Sequence, residues 1–213
     1  NRKGWWQVYG LGQLGEVEGK IFTDWQIIDE IPHEARLERY GLDFGYTNDP
    51  TAIVAIYYYN GGYIWDEITF QKGLKNNQIA DILINLPKAL IIADSSEPKS
   101  IAEIREYDIN ILGVAKVRGE TKTDTFVKWS IGVVQEQQIS ITKQSVNIIK
   151  EYRNYLWETD RDGTVLNEPE HTFSHTMDAG RYAMTSLVKV IRAKEIADAL
   201  PRIERRKKTN QAR

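Results

Sequence analysis

The sequence contains no cysteine. That excludes disulfide staples, thiolate metal sites and a cysteine nucleophile. It also lacks an apolar run near the roughly 18–20 residues of a membrane-spanning helix, and it shows no signal peptide. No membrane contact is therefore expected, and an intracellular location is. Neither sign of charge dominates: 28 basic residues stand against 30 acidic ones, for a net charge of −2. Any contact with nucleic acid has to come from a local basic patch. The phosphate-binding pattern G-x-x-x-x-G-K-[ST] is missing as well. Gly19-Lys20 is followed by Ile21, and Leu14 stands where the first glycine is needed. Gly10-Leu11-Gly12-Gln13-Leu14-Gly15 fits the dinucleotide pattern G-x-G-x-x-G in letters only, because no amphipathic helix follows Gly15.

What is present is the composition of a globular domain. The 213 residues are 41% hydrophobic and 27% charged, enough for one domain with a real core and a small appendage. Residues 1–33 read as loop-like, apart from a short aromatic strand at Trp5–Tyr9, and Glu34 to Arg39 read as a charged bridge. Tyr40-Gly41-Leu42-Asp43 alternates with strand period. Turn residues Gly45, Asn48, Asp49 and Pro50 separate it from an apolar, β-branched strand, Thr51–Tyr59. Asn60-Gly61-Gly62 is a hairpin turn leading into a third strand, Tyr63–Phe70. Lys75 to Leu86 has helical spacing and is stopped by Pro87. Ala89–Ala93 is unbroken apolar sequence, as in a strand buried on both faces. A helix capped by Ser95 follows, then a strand at Ile111–Val117, a helix at Thr123–Gln137, a strand at Ile139–Thr142 and a helix at Val146–Leu156. Tyr155 to Glu168 reads as a projecting hairpin around Asp160-Arg161-Asp162-Gly163, and Ser174 as the cap of a last helix. The order predicts an α/β fold with a mixed sheet and helices on both faces.

Three aspartates share one logic. Asp43 sits inside a core strand, where an ionised carboxylate is costly unless a cation or donors satisfy it. Asp94 ends the buried strand Ala89–Ala93. Asp178 lies in the first turn of the last helix, and its spacing from His175 puts both on one helical face. Each aspartate alone also suits a turn or cap. Converging together, they would repel, and divalent cations would hold them. Hard cations such as Mg²⁺ or Mn²⁺ prefer oxygen ligands. Two of them about 4 Å apart activate a water and stabilise the leaving oxygen of a phosphodiester. The expected geometry has Asp43 central, Asp94 on the adjacent strand and Asp178 reaching in from the helix, with His175 at the rim.

Leu42-Asp43-Phe44-Gly45 with Asn48-Asp49-Pro50-Thr51-Ala52, then Ile92-Ala93-Asp94-Ser95, then His175-Thr176-Met177-Asp178-Ala179-Gly180-Arg181-Tyr182-Ala183, resembles the nuclease domain of tailed-bacteriophage terminase large subunits. Trp5 to Phe22 resembles the end of that family's ATPase domain. The resemblance implies an RNase H-like fold and metal-dependent cutting of concatemeric viral DNA during packaging into a procapsid. It implies that Asp43, Asp94 and Asp178 bind two divalent cations, Mg²⁺ or Mn²⁺. Asp49 matches an additional acidic residue of some members, and His175 a ligand or supporting position. Each also has a plain reading, as a turn cap and as a helix-start residue. Tyr155 to Glu168 matches a hairpin thought to gate DNA.

Further expectations come with the family. Residues 1–33 would be an arm or the remnant of a linker from an ATPase domain, 34–195 the nuclease domain, and 196–213 a basic tail. The partners would be double-stranded DNA, the ATPase domain of the same polypeptide, the small terminase subunit and the portal of the procapsid. The location would be the cytoplasm of the infected bacterial host. The missing phosphate-binding motif fits an excised domain. Little sequence preference is expected, since no base-reading motif occurs. Lys116, Arg118, Lys122 and Lys128 are candidate phosphate contacts. Two other readings exist. Gly41-Leu42-Asp43-Phe44-Gly45 also resembles the first phosphate loop of actin-like ATPases and sugar kinases, but Asp94-Ser95-Ser96-Glu97 lacks the glycines of the second loop. A DNA-binding or docking module with an inert site is the other, and the intact aspartates argue against it.

Overall fold

The computed structural model describes residues 19–115 and 123–199. A seven-stranded mixed sheet forms its centre. Its strands are β1 (Trp25–Ile28), β2 (Arg36–Asp43), β3 (Thr51–Tyr59), β4 (Gly62–Gln71), β5 (Leu90–Ala93), β6 (Ile111–Gly113) and β7 (Ile139–Thr142), in spatial order β1-β7-β4-β3-β2-β5-β6. β2, β3 and β4 form the antiparallel meander. Tyr59 pairs with Gly62 around Asn60-Gly61, whose φ values of 47° and 84° are the two positive dihedrals that a tight twisted hairpin requires. β5 and β6 extend the sheet in parallel from β2, and β7 and β1 extend it in parallel from β4.

Alternation along the strands divides the core. Tyr40 and Leu42 of β2, Ile53 and Ala55 of β3, and Ile91 and Ala93 of β5 face α1 (Asn76–Ile84) and α2 (Pro98–Arg105). Ala52, Val54 and Ile56 face the opposite layer of α3 (Thr123–Gln135), α4 (Val146–Asn154) and α5 (His175–Ala199). A two-stranded hairpin, β8 (Trp157–Thr159) and β9 (Val165–Pro169), lies between α4 and α5, followed by a short 3₁₀ turn at His171–Phe173. Asp160 organises its tip, accepting from the backbone N–H groups of Asp162 and Thr164 at 3.0 and 2.8 Å. No described helix is long and apolar enough to cross a membrane.

Several boundaries differ from the sequence reading for local reasons. β1 lies in a stretch read as loop; it pairs with β7, more than a hundred residues away, and no local pattern marks such a pairing. β2 begins at Arg36 rather than after Arg39. Its charged end stays strand because it pairs with β3, with the Arg36 guanidinium over the Tyr58 ring at 5.6 Å. α2 starts at Pro98 behind Glu97, not behind Ser95. Ser95 and Ser96 instead belong to a turn closed by the Asp94 side chain. α4 stops at Asn154, and Tyr155 is extended and buried, so the exposed hairpin begins after it. The strand expected to Val117 ends at Gly113. Trp5–Tyr9 and the 202–213 tail lie outside the described residues.

α5 crosses β2, β3, β4 and β5 at close range. A Cβ at Gly41 would meet the Ala179 carbonyl oxygen at 1.8 Å, so the helix backbone rests on the strand backbone. One residue along the helix, a Cβ at Gly180 would meet the Trp65 ring at 2.3 Å. The start of the helix is clamped from α4. Glu151, only 2% exposed, accepts from both the backbone N–H and the hydroxyl of Thr176 at 2.6 Å each. Burial raises its pKa against the pull of these donors. The expected cap, Ser174, donates its hydroxyl to the His171 carbonyl instead, at 3.1 Å.

Gly180→Ala is expected to destabilise the fold by about 1–3 kcal/mol, the usual cost of overpacking a filled core. Urea denaturation followed by circular dichroism reads this directly. An unchanged midpoint would mean that α5 can lift off Trp65 freely.

Candidate active site

β2 and β5 run parallel, with Leu42 opposite Ala93, and the Asp94 N–H donates to the Leu42 carbonyl at 3.2 Å. One further step along this register sets Asp43 beside Asp94 at the carboxyl ends of neighbouring strands. That is where open α/β sheets usually place their ligands. Asp43 lies on the same face of β2 as Gly41, and therefore under α5. Asp94 follows Ile92 on the same face of β5, since Ile92 packs with Tyr182 of α5. Asp178 is in the first turn of α5. All three aspartates thus belong to one face and one end of the sheet.

Their charges register on common neighbours. Asp43 is nearly buried, and burial is the main cause that pushes its carboxyl up to about 7. The Asp178 and Asp94 charges push it further, while the His175 bond pulls it back. The phenol of Tyr182 is raised by burial and then by Asp178, Asp43 and Asp94 together. His175 touches both acidic residues of the first loop. Its Nδ1 lies 3.2 Å from Asp43 Oδ2, and its Nε2 lies 3.6 Å from Asp49 Oδ1, the latter a charge contact beyond hydrogen-bond range. The Asp43 bond raises the histidine pKa against its own burial. Asp49 is exposed on the loop between β2 and β3, which Thr51 closes by donating to the Gly45 carbonyl at 2.7 Å.

Each of the other two carboxylates has a local partner. Asp94 accepts from the Ser96 N–H at 3.0 Å and from the Ser96 hydroxyl. Asp178 pairs with Arg181 one turn later on α5. Arg181 is buried and also donates to Ser130 on α3. With the side chains so directed, the described residues contain no group of three His, Asp or Glu that could hold a metal ion. The aspartates share a face and feel one another's charge, but Asp94 and Asp178 point at protein donors. The hairpin β8–β9 is adjacent in chain order, joining α4 to the turn before α5.

Of the basic candidates, Lys128 lies half-buried on α3, while Lys116, Arg118 and Lys122 fall outside the described residues. Two further residues of the site take their roles from the fold. Arg181 had a faint signal, the i, i+3 spacing from Asp178. Glu151 had none, because its contact with Thr176 joins two helices across the hairpin.

Comparison with known proteins agrees with this fold. Residues 43–186 match the family described as "Terminase RNAseH like domain". The chain is 34% identical over 185 residues to the terminase large subunit of Bacillus phage SPP1, covering 80% of this chain and 43% of that protein. It is 24% identical to the PBSX phage terminase large subunit of Bacillus subtilis strain 168, covering 82% and 39%. It thus spans about two-fifths of the length of these relatives. Among solved structures, it resembles the g2p large terminase nuclease domain of bacteriophage SPP1 with bound Mn, at a TM-score of 0.64 and 28% identity. That match covers 78% of this chain and 97% of the other. The large terminase nuclease of thermophilic phage G20c with bound magnesium aligns at a TM-score of 0.56 over 79% and 98%, and its 12% identity makes this a likeness of fold alone. The chain, with its RNase H-like mixed sheet flanked by helices, belongs to the terminase RNase H-like domain family.

Proposed function

We propose that this chain is the nuclease domain of a phage terminase large subunit, a DNA endonuclease that depends on divalent cations and has little sequence preference. It would cut concatemeric viral DNA during packaging, in the cytoplasm of an infected bacterium. The observation that carries this reading is Asp43: a core carboxylate at a strand end, nearly buried, pushed up to about 7 and facing the charges of Asp94 and Asp178. A set of hard oxygen donors that repel one another suits Mg²⁺ or Mn²⁺. The bound Mn of the SPP1 nuclease domain supports the same choice. The longer relatives support a larger protein in which an ATPase domain would be a partner; a small terminase subunit and a portal would be further partners. The bounds proposed for the nuclease are 34–195, with an arm before it and a basic tail after it; β1 of that arm pairs with β7 of the sheet.

Asp43, Asp94 and Asp178 would hold two cations. When bound, such ions supply a water that ionises near neutral pH and a charge that stabilises the leaving oxygen. The protein's own share is positioning. His175 holds the Asp43 carboxylate by one ring nitrogen and faces Asp49 with the other. It can keep or release a proton at Asp43 Oδ2 as the site charges. Arg181 orients Asp178 through one oxygen and leaves the second open. Ser96 orients Asp94 through both oxygens, its N–H on Oδ1 and its hydroxyl on Oδ2. Asp94 and Asp178 would turn part of their acceptor capacity from these donors to the ions.

Plasmid digestion with Mg²⁺, Mn²⁺ or chelator, without ATP, tests the activity. Nicking is expected with either metal and none in chelator. Asp43→Asn, Asp94→Asn and Asp178→Asn should each lower cutting by two orders of magnitude or more. Cutting in chelator, or full activity of all three variants, would sink the proposal.

A second expectation concerns pH in the metal-free protein. Asp43 binds its proton more tightly when folded, with a pKa of about 7 against 3.8. Its contribution to stability therefore falls as pH rises from about 4 to about 7 and is level above that. Asp43→Asn removes this penalty. In chelator the variant should melt above the parent at pH 8, with the gap closing towards pH 4. A variant that melts lower at pH 8 would mark Asp43 as a structural residue.

A further inference from the structure

Beside His175, and separate from the three aspartates, lies a groove of about 320 Å³. Its size is within the range of pockets that hold small ligands, about 300–1,000 Å³. One wall is the end of β4 and the loop before β3, with Phe70, Lys72 and Asp49. The other is α4 and the 3₁₀ turn, with Lys150 and Phe173. His175, which also contacts Asp43, is part of the lining, its ring 6.4 Å from that of Phe70. The groove therefore adjoins the candidate active site.

The lining chemistry is uneven. Both lysines are exposed, and neither is ion-paired with a described residue. Lys150 Nζ stands 5.7 Å over the Phe173 ring, which holds the ammonium at the groove. Of the two carboxylates in the lining, Glu151 is buried with both its contacts on Thr176, while Asp49 is exposed and lies 3.6 Å from His175 Nε2. Phe70 and Phe173 are half-buried and both line the groove. Two free cations with two aromatic faces form the pattern that binds single-stranded nucleic acid: the cations follow the phosphates and unstacked bases lie on the rings. A duplex does not offer its bases in this way.

We propose that this groove is a subsite for single-stranded nucleic acid, taking a phosphate on Lys72 and Lys150 and an unstacked base between Phe70 and Phe173. The strand entering it would be frayed from the duplex next to the bond being cut. The identity of the ligand rests on the nuclease reading; the groove itself does not.

The test is binding of a fluorescent 12-nucleotide single strand to this chain in chelator, followed by anisotropy across a salt series. Each phosphate contact on a single strand contributes about 0.7 to the slope of log affinity against log salt. The double variant Lys72→Ala/Lys150→Ala should lower that slope by about 1.4. Phe173→Ala should weaken binding about fivefold or more, the lower end for losing one stacked base. Lys88→Ala/Lys99→Ala, both exposed on the side of α1 and α2, should change neither quantity. Circular dichroism melts confirm that these surface variants remain folded. No binding by the parent, an unchanged slope in the groove variant, or a loss confined to duplex DNA would overturn the proposal. Plasmid digestion with Mg²⁺ and Mn²⁺ runs in parallel. A parent that binds with the expected slope change but never cuts would sink the nuclease reading and leave the groove standing. A parent that cuts while the groove variant binds like it would do the reverse.

Discussion

The site depends on how closely α5 lies on the sheet. Ordinary helix–sheet packing separates backbones by the thickness of two side-chain layers. Here the layer is missing at one point, because Gly41 brings nothing upward and the Ala179 backbone fills the gap. Gly180, one residue on, lets the helix settle on the flat of Trp65. These contacts fix the height and the slide of the helix. Since 1.5 Å of rise separates successive residues, they also fix where its first turn ends up. Asp178 and His175, one and four residues before Ala179, are therefore delivered to the carboxyl end of β2. Asp43 is already there, two residues beyond Gly41 on the same face.

Bringing acidic groups to one place raises a problem that the surrounding residues answer separately for each. Asp43 has His175, Asp94 has the turn at Ser96, and Asp178 has Arg181. These partners differ in strength. A buried arginine stripped of its carboxylate would be costly, of the order of 3–5 kcal/mol. Arg181 also donates to the neutral Ser130 hydroxyl, and its Nε has no partner among the described residues, so it relies on the Asp178 carboxylate for its charge. Asp43 has the weakest compensation and the deepest burial, and its proton affinity rises accordingly. Among the three, it is the group on which an added cation would act most.

The sequence made most of the sheet legible, and the reasons are local. β3, β4 and β5 are apolar or alternating runs with Gly, Pro or Asn near their ends, β7 is a short alternating run between polar residues, and strands of that kind announce themselves. β1 does not, since Trp25-Gln26-Ile27-Ile28 becomes a strand only by lying on β7. The charged half of β2 was hidden for the same reason, its pairing with β3 overriding a run of Arg and Glu. The candidate aspartates stood out because each interrupts or ends a core element, where a carboxylate is out of place. Their supports did not. Glu151 looks like any acidic residue of an amphipathic helix until α4 and α5 are seen end to side. The groove between Lys72 and Lys150 joins positions far apart in the chain, and neither lysine carries a pattern of its own.

Glu151 ties these features together. From one buried position it accepts from the N–H and the hydroxyl of Thr176 at the start of α5, borders the groove, and sits next in sequence to Lys150, which stands over Phe173. A carboxylate at a helix N-terminus is favoured by the helix dipole as well as by its two hydrogen bonds. A serine or threonine cap would have met the same donors from within the chain of α5 itself. Using a residue of α4 instead couples the direction of α5 to the position of α4. The groove wall and the helix that bears Asp178 are then held by one side chain. Any shift of α4 that opened or closed the groove would be passed through Thr176 to His175 and Asp178, because no slack separates them.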